Sequence, residues 1–508
     1  MSLELEGLGV TICDVVAVAR RGEQVRLSDA AIERMAVARR IVEHLAEGGP
    51  TYGISTGFGA LATTTIPPDR RAALQRSMIR SHAAGMGSAV ETEVVRAMMF
   101  LRARTLALGA SGARPLVAET LVRMINAGVV PVVPEYGSLG ASGDLAPLAH
   151  AALVLMGEGE VLSDEGVLEG GAAMAQAGIE PVELLEKEGL ALINGTDGIL
   201  GMLCLAVHDA THLLTVADVA AALSVEGLLA TDRAYAADLQ ALRPHPGQGK
   251  SAANLRVMLA GSPIVASHRT DDIRVQDAYS IRCTPQVHGA ARDTLEFVTD
   301  VANRELASAI DNPMVLPDFR IESCGNFHGA PVAMAADYLA IALAEVGAIA
   351  ERRLDRLLDY NRSHGLPPFL AADPGVDSGL MIAQYTAAAM CAENRRLAAP
   401  AVVDSLPTSA MQEDHVSMGW GAARKLRRVV DNLRRILAVE WVTAARAVEL
   451  RAPLVPADAT AAAVDLLRTR VRGPGPDRSL APELQAAEHL LKEERLVRAV
   501  ETVTGPLN

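Results

Sequence analysis

The 508 residues carry 47 basic and 61 acidic side chains, a formal net charge of −14, which speaks against nucleic acid as a partner because phosphate binding needs clustered lysine and arginine. Hydrophobic residues make up 50% of the chain but aromatic ones only 3%, so alanine, leucine and valine must carry the packing, which favours helices meeting at close range. The five cysteines, Cys13, Cys204, Cys283, Cys324 and Cys391, form no C-x-x-C pair and no even framework, which excludes a disulfide scaffold and points to free thiols in a reducing compartment.

The opening Met-Ser-Leu-Glu-Leu-Glu lacks a basic region and an apolar stretch, so no secretory signal is expected. A helix is predicted from a Ser28 cap to Gly48-Gly49. The longest uncharged stretch, 48–68, is rich in glycine and threonine and ends in Pro67-Pro68, which is wrong for a membrane span. A second helix is predicted from Pro67-Pro68 to about Ala84 and a third from about Glu91 to Leu108, with apolar residues at three- and four-residue spacing. From about Gly198 the pattern changes. Ile199 to Leu229, Ala333 to about Asn361 and Val416 to about Leu450 each read as one long helix, although each pattern also fits two shorter ones. Globular helices average about 11–12 residues, and a soluble chain hides helices much longer than this by packing them along each other in a bundle. The loops between them, such as Arg243-Pro-His-Pro-Gly-Gln-Gly, Asn312-Pro313, Asn361-Arg-Ser-His-Gly-Leu-Pro-Pro and Ser405-Leu-Pro-Thr-Ser, are where catalytic groups usually sit. After about Pro453 a Gly473-Pro-Gly-Pro linker precedes a charged helix. The expected organisation is an N-terminal region 1–197, a central long-helix bundle 198–452 and a C-terminal helical segment 453–508, in a soluble cytoplasmic protein with no membrane partner.

One segment carries unusual chemistry: Gly137-Ser-Leu-Gly-Ala-Ser-Gly-Asp-Leu-Ala-Pro-Leu-Ala-His150. A bare Ala-Ser-Gly is ordinarily a flexible loop entering a helix, here with Ser142 or Asp144 as the cap. No G-x-x-x-x-G-K-[ST] phosphate cradle is present. The long form resembles the signature of the aromatic amino-acid lyases and aminomutases. In that family the tripeptide, here Ala141, Ser142 and Gly143, cyclises by itself into a 4-methylidene-imidazol-5-one. The Gly143 nitrogen attacks the Ala141 carbonyl, which a glycine permits because it blocks no approach and tolerates unusual dihedrals. Loss of water from Ser142 leaves an exocyclic methylene, an electrophile that ordinary nucleophilic side chains cannot supply. An α-amino group leaves poorly and a β-hydrogen is weakly acidic, so capture of the substrate at its amine or at its ring eases elimination.

Further matching segments run from about Tyr52 to Leu450. Tyr52, in Thr51-Tyr-Gly-Ile-Ser-Thr-Gly-Phe-Gly-Ala, is alone a turn tyrosine; the resemblance implies a general base for the β-hydrogen on a mobile loop freed by Gly53, Gly57 and Gly59. Asn194, in Leu190-Ala-Leu-Ile-Asn-Gly-Thr, is implied to hold the prosthetic ring and its developing negative charge through its amide. Gln276, Tyr279 and Arg282 follow i, i+3, i+6 spacing, so one helical face is able to present all three. The resemblance gives Arg282 the substrate carboxylate, places Tyr279 near the electrophile and sets Phe327, in Gly325-Asn-Phe-His-Gly, as a lining residue.

Two positions bear on the substrate. Ser81-His82 matches the histidine-acting members, where phenylalanine enzymes carry an apolar pair and tyrosine enzymes often His-Leu; some aminomutases share it. Glu413, in Gln412-Glu-Asp-His-Val-Ser-Met, stands where phenylalanine enzymes usually have glutamine. A carboxylate accepts an imidazole N–H, whereas beside a benzene ring it is left unsatisfied. Met411 replaces an asparagine common in the family, and Cys324 sits beside Gly-Asn-Phe-His. The resemblance implies an all-α fold, a long-helix bundle of the fumarase/aspartase-like type with a smaller mixed N-terminal region. It also implies non-oxidative deamination of L-histidine to trans-urocanate and ammonia, the first step of histidine breakdown, by a homotetramer whose active sites are shared between chains. No metal or diffusible cofactor is expected: the twelve histidines show no H-E-x-x-H spacing. The alternatives are a tyrosine or phenylalanine lyase or a 2,3-aminomutase of the same family, and, from another class, a helical scaffold that has lost the chemistry.

Overall fold

The computed structural model describes residues 2–47, 51, 53–57, 63–163, 166–270, 272 and 274–508. The chain divides into two compact units. One comprises Met1–His208, Thr299–Asp337 and Pro400–Arg424; the other comprises Asp209–Val298, Tyr338–Ala399 and Lys425–Asn508. Both units are discontinuous in sequence.

The fold is an all-α, long-helix bundle. Asp197–Gly227, Thr284–Leu306, Ala330–Leu358 and Gly419–Glu449 span 31, 23, 29 and 31 residues. Three of these coincide, within three residues at each end, with the long patterns read from the sequence, and each is one helix rather than two. Small residues such as Ala220, Ala221 and Ala222 of Asp197–Gly227, all fully buried, let neighbours approach it closely on several sides. Asp197–Gly227 and Ala330–Leu358 are long and apolar enough to reach across a bilayer, yet 78% and 61% of their most apolar stretches are buried inside protein.

The first unit holds the mixed N-terminal region. Helix Ile12–Arg21 starts at a reciprocal cap, in which the Asp14 N–H donates to Thr11 Oγ1 and the Thr11 N–H to Asp14 Oδ2. Ser28 caps Asp29–Ala46, as its position predicts, by accepting from the Ala31 N–H at 3.1 Å. Short strand pairs join Leu3–Leu5 to Val25–Leu27 in parallel and Met86–Ala89 to Pro134–Tyr136 in antiparallel register. Helix Thr92–Ala107 is buried from Ala97 to its end, including Arg102 and Arg104. Those two guanidiniums are held by Asp197 and by the carbonyls of Gly7 and Ser308 respectively, as buried charges must be.

The second unit has a polar core of its own. Arg353 and Glu440 are both fully buried and form a two-pronged pair, with Nη2 to Oε2 at 3.0 Å and Ser224 Oγ donating to Oε1 at 2.9 Å. Asp218 accepts from Ser251, Asn254, His288 and Arg292. Burial pushes its carboxyl up, but Arg292 and His288 outweigh this and hold it at about 2. The five cysteines are unpaired, with Cys204 and Cys391 buried.

Removing one partner of the Arg353–Glu440 pair strands the other charge in the core. Arg353→Ala is expected to lower the unfolding free energy by about 3–5 kcal/mol, whereas the double substitution Arg353→Met with Glu440→Leu is expected to cost far less. Denaturant melts of both variants check this, and equal losses would contradict it.

Candidate active site

Residues 137–144 are pinned from two sides, both within the first unit. On one side Gly143 pairs with Gly195 in a parallel bridge, and the Asp144 N–H donates to the Gly195 carbonyl at 2.7 Å. On the other side Leu139 O accepts from the Met418 N–H at 2.8 Å and Gly140 O from Ser417 Oγ at 3.1 Å. Both glycines lie in the left-handed region, with φ of 66° at Gly140 and 77° at Gly143. A Cβ on Gly140 would collide with Ser417 Oγ, and one on Gly143 with the Gly195 carbonyl. Only glycine fits at either place.

Helix Leu145–Leu155 follows, with Asp144 in the cap position but without a side-chain cap bond. The Asp144 carboxylate serves a different helix. Its Oδ2 accepts from the Ile199 N–H at 2.9 Å, in the first turn of Asp197–Gly227, and its Oδ1 from Ser138 Oγ at 3.0 Å. The helix terminus offers unpaired N–H groups there. Burial pushes the Asp144 carboxyl up to about 7, against the pull of the Ile199 and Ser138 bonds.

Ser142, half-buried, opens onto a cavity of about 730 Å³ that also borders Met78, His82, Asn194, Asn312 and Glu413. His82 Nδ1 lies 2.8 Å from Met78 O. A carbonyl only accepts, so Nδ1 carries a proton, and in the singly protonated ring Nε2 is the acceptor. Glu413 is paired through its backbone with Thr408, whose hydroxyl donates to Oε2 at 2.9 Å. Its Oε1 has no partner among the described residues. Ser409, Ala410 and Met411 carry φ of 50°, 51° and 71°, a strained run of the kind found at functional loops. Asparagine tolerates this conformation better than methionine, which accounts for the family's usual residue at Met411; the Met411 side chain itself is exposed and does not line the cavity.

Asn194 is almost fully buried. Its Nδ2 donates to Asn312 O at 2.8 Å and to Asp311 Oδ1 at 3.3 Å, while Oδ1 has no partner. Both amide hydrogens are thus engaged by Asp311 and Asn312. Cys324 sits behind it, donating from its N–H to Asn312 Oδ1 at 2.7 Å.

Of the other expected site residues, Tyr52 and Gly59 lie outside the described residues. Gly53 is buried with φ 77°, and a Cβ there would press on Leu190 and Pro313. Phe327 is half-buried and not part of the lining. Gln276, Tyr279 and Arg282 belong to the second unit. There the helix is only Tyr279–Arg282, so the shared helical face is corrected: Gln276 precedes it, in a stretch where Asp272 and Asp277 bind Arg274. The Arg282 guanidinium stacks 4.6 Å from the Tyr279 ring centre. Sequence reasoning missed Lys187, Asp311, Ser138 and Ser417. A lysine beside an apolar run, Lys187-Glu-Gly-Leu-Ala-Leu, and the polar Asp311-Asn312 pair were the available signals. Among the described residues no cluster of His, Cys, Asp and Glu is set to hold a metal ion.

The family model described as "Aromatic amino acid lyase" matches residues 10–469. A histidine ammonia-lyase of Streptomyces griseus is 62% identical over 504 residues, covering 98% of each chain. One of Gloeobacter violaceus is 49% identical, covering 100% of this chain and 99% of its own. Among solved structures, a tyrosine aminomutase from Streptomyces globisporus superposes with a TM-score of 0.94 at 37% identity over the whole of both chains. A histidine ammonia-lyase from Trypanosoma cruzi does so with 0.91 at 38%, covering 99% and 96%.

Two outcomes follow from the pinned loop. Gly143→Ala meets both a forbidden φ and the Gly195 carbonyl, and is expected to cost about 2–4 kcal/mol of stability. Gly249→Ala, on an open helix face, should change stability by no more than about 1 kcal/mol; equal effects in thermal melts would contradict the clamp. Because the folded Asp144 carboxyl is raised, its contribution is present below about pH 4 and is lost as pH rises towards 7. Asp144→Asn should therefore gain stability relative to the unsubstituted protein between pH 4 and 8, and a pH-independent difference in unfolding free energy would contradict this.

Proposed function

The chain belongs to the aromatic amino acid lyase family, and on that premise we propose that it removes ammonia from L-histidine, giving trans-urocanate. The observation that carries this reading is a glycine-clamped Ala141-Ser142-Gly143 opening onto a cavity that also presents His82 and Glu413.

The clamp fits the family's prosthetic group. A left-handed Gly143 held against Gly195 turns the chain back on itself, which favours approach of its nitrogen to the Ala141 carbonyl carbon. Closure expels one water and dehydration of Ser142 a second. The resulting 4-methylidene-imidazol-5-one supplies an electrophilic methylene carbon. The buried Oδ1 of Asn194 has no partner in the protein; the ring carries no N–H, so its donor would come from the substrate.

The chain's own residues do the rest. Glu413 accepts the imidazole N–H of the substrate through Oε1, while Thr408 fixes its other oxygen. His82 offers Nε2 as a second acceptor, held by Met78 O. Tyr52 takes the β-hydrogen as the amine leaves. The balance is one histidine to one urocanate and one ammonia. Glu413 sets the ring preference, since a carboxylate facing a benzene or phenol ring loses its donor or its geometry.

The described lining of the cavity carries no lysine or arginine. A substrate carboxylate needs one, and Arg282, with Tyr279 and Gln276 near it and Phe327 at the rim, fills that role in a homotetramer whose chains share their active sites. The reading needs no metal and no diffusible cofactor, and places a soluble enzyme in the cytoplasm.

Incubation with L-histidine, L-tyrosine and L-phenylalanine, followed by product absorbance, should give urocanate from histidine alone. Turnover of tyrosine without urocanate would move the chain to the aminomutase or tyrosine-lyase branch. Ser142→Ala should lower turnover by about 10³-fold or more with the helical content unchanged, and near-normal turnover would contradict the proposed electrophile. Glu413→Gln should lower kcat/KM for histidine by about 10–100-fold.

A further inference from the structure

Lys187 and Asn194 bracket the short helix Glu188–Ile193 and meet Asp311, distant in sequence, behind the cavity. Lys187 and Asp311 are both fully buried, with Nζ 2.7 Å from Oδ2. The other carboxylate oxygen, Oδ1, accepts from Asn194 Nδ2 at 3.3 Å and from the Asn312 N–H at 2.7 Å. Each oxygen of Asp311 thus has a distinct duty. Lys187 itself lies in the left-handed region, φ 72°, an unusual conformation for a residue other than glycine.

A buried ion pair adds little net stability over a well-packed apolar pair, so packing gives no reason for a lysine here. Orientation does. With Asp311 Oδ1 and Asn312 O on one side, the Asn194 amide has a single acceptable setting, since the reverse setting places its oxygen against two other acceptors. That setting spends both N–H groups and leaves Oδ1 as the side-chain polar atom of Asn194 without a partner. The residue borders the cavity beside Ser142. A substrate ammonium group brings N–H donors to that place.

Resting on the proposed reaction, we propose that Lys187 and Asp311 are positioning residues that hold Asn194 as an acceptor for the substrate's amino group. Lys187 keeps Asp311 fixed. Asp311 in turn keeps the Asn194 amide from rotating, and Asn194 Oδ1 receives an N–H from the amine that is to leave. Cys324 steadies the same segment by donating its N–H to Asn312 Oδ1 and its thiol to Asp311 O.

The test exchanges the two side chains. Asn194→Asp alone sets two carboxylates against each other. Asp311→Asn alone leaves one oxygen for Lys187 and turns an NH₂ towards the Asn194 amide. Combined, Asn194→Asp with Asp311→Asn restores the charge count, and position 194 still presents an acceptor. Each single variant should lose at least about tenfold in kcat/KM for L-histidine, and the double should recover at least about tenfold over either. A double no better than Asn194→Asp, with its melting curve intact and the Ser142 peptide lighter by two waters, would overturn the inference, because it would show that position 194 must donate. Lys187→Arg covers the case in which the double does not fold. Its fork claims both Asp311 oxygens and should lower kcat/KM by about tenfold with prosthetic-group mass unchanged, whereas unaltered kinetics would overturn the proposal. Urocanate formation by the unsubstituted protein separates the two readings. If it is absent, the reaction assignment fails; if it is present and the exchange gives no rescue, only this inference fails.

Discussion

Gly143 and Gly195 touch backbone to backbone, and neither has room for a β-carbon. Below Gly195 lies the Arg102 guanidinium, where a Cβ would strike it. Arg102 is fixed in turn by Asp197 and by the Ala191 carbonyl. The reactive tripeptide is therefore pressed against a stop that cannot retreat, because the stop is backed by a buried charge pair rather than by a deformable apolar side chain. Close packing transmits such constraints without slack.

The first unit concentrates buried charge around this contact. Arg102–Asp197, Lys187–Asp311 and Asp144 at the start of Asp197–Gly227 all lie within a few residues of Asn194-Gly195-Thr196, and Thr196 donates to Glu305 at 2.8 Å. Apolar replacements would satisfy the packing at lower desolvation cost. What ionic partners add is direction: each one fixes where an N–H or a carbonyl points. This is the pattern expected of a site whose supporting groups are preorganised before the substrate arrives.

Much of this was legible in the sequence. The three long apolar patterns from Ile199, Ala333 and Val416 became single helices because nothing within them breaks a 3.6-residue period. Thr284–Leu306 was not singled out, since Pro285 and Gly289 interrupt its start and its exposed face is charged. The Ser28 cap was visible because it is local. The Asp144 carboxylate was not, because its partner, Ile199, is brought to it only by the fold. The same holds for Asn194: the residue could be named from its motif, but which side of the amide faces the cavity depends on Asp311 and Asn312, more than a hundred positions away. The spacing of Gln276, Tyr279 and Arg282 suggested one helical face, but the helix begins only at Tyr279 and leaves Gln276 outside it. The left-handed run at Ser409–Met411 carries no glycine and so gave no warning.

The central claim is that this clamp closes Ala141-Ser142-Gly143 into a ring. An electron-density map at atomic resolution of catalytically active protein, crystallised without substrate, tests it most directly. Continuous density joining the Gly143 nitrogen to the Ala141 carbonyl carbon, with no hydroxyl oxygen on residue 142, is the predicted result. An open, ordinary peptide at these three residues in fully active protein would contradict it.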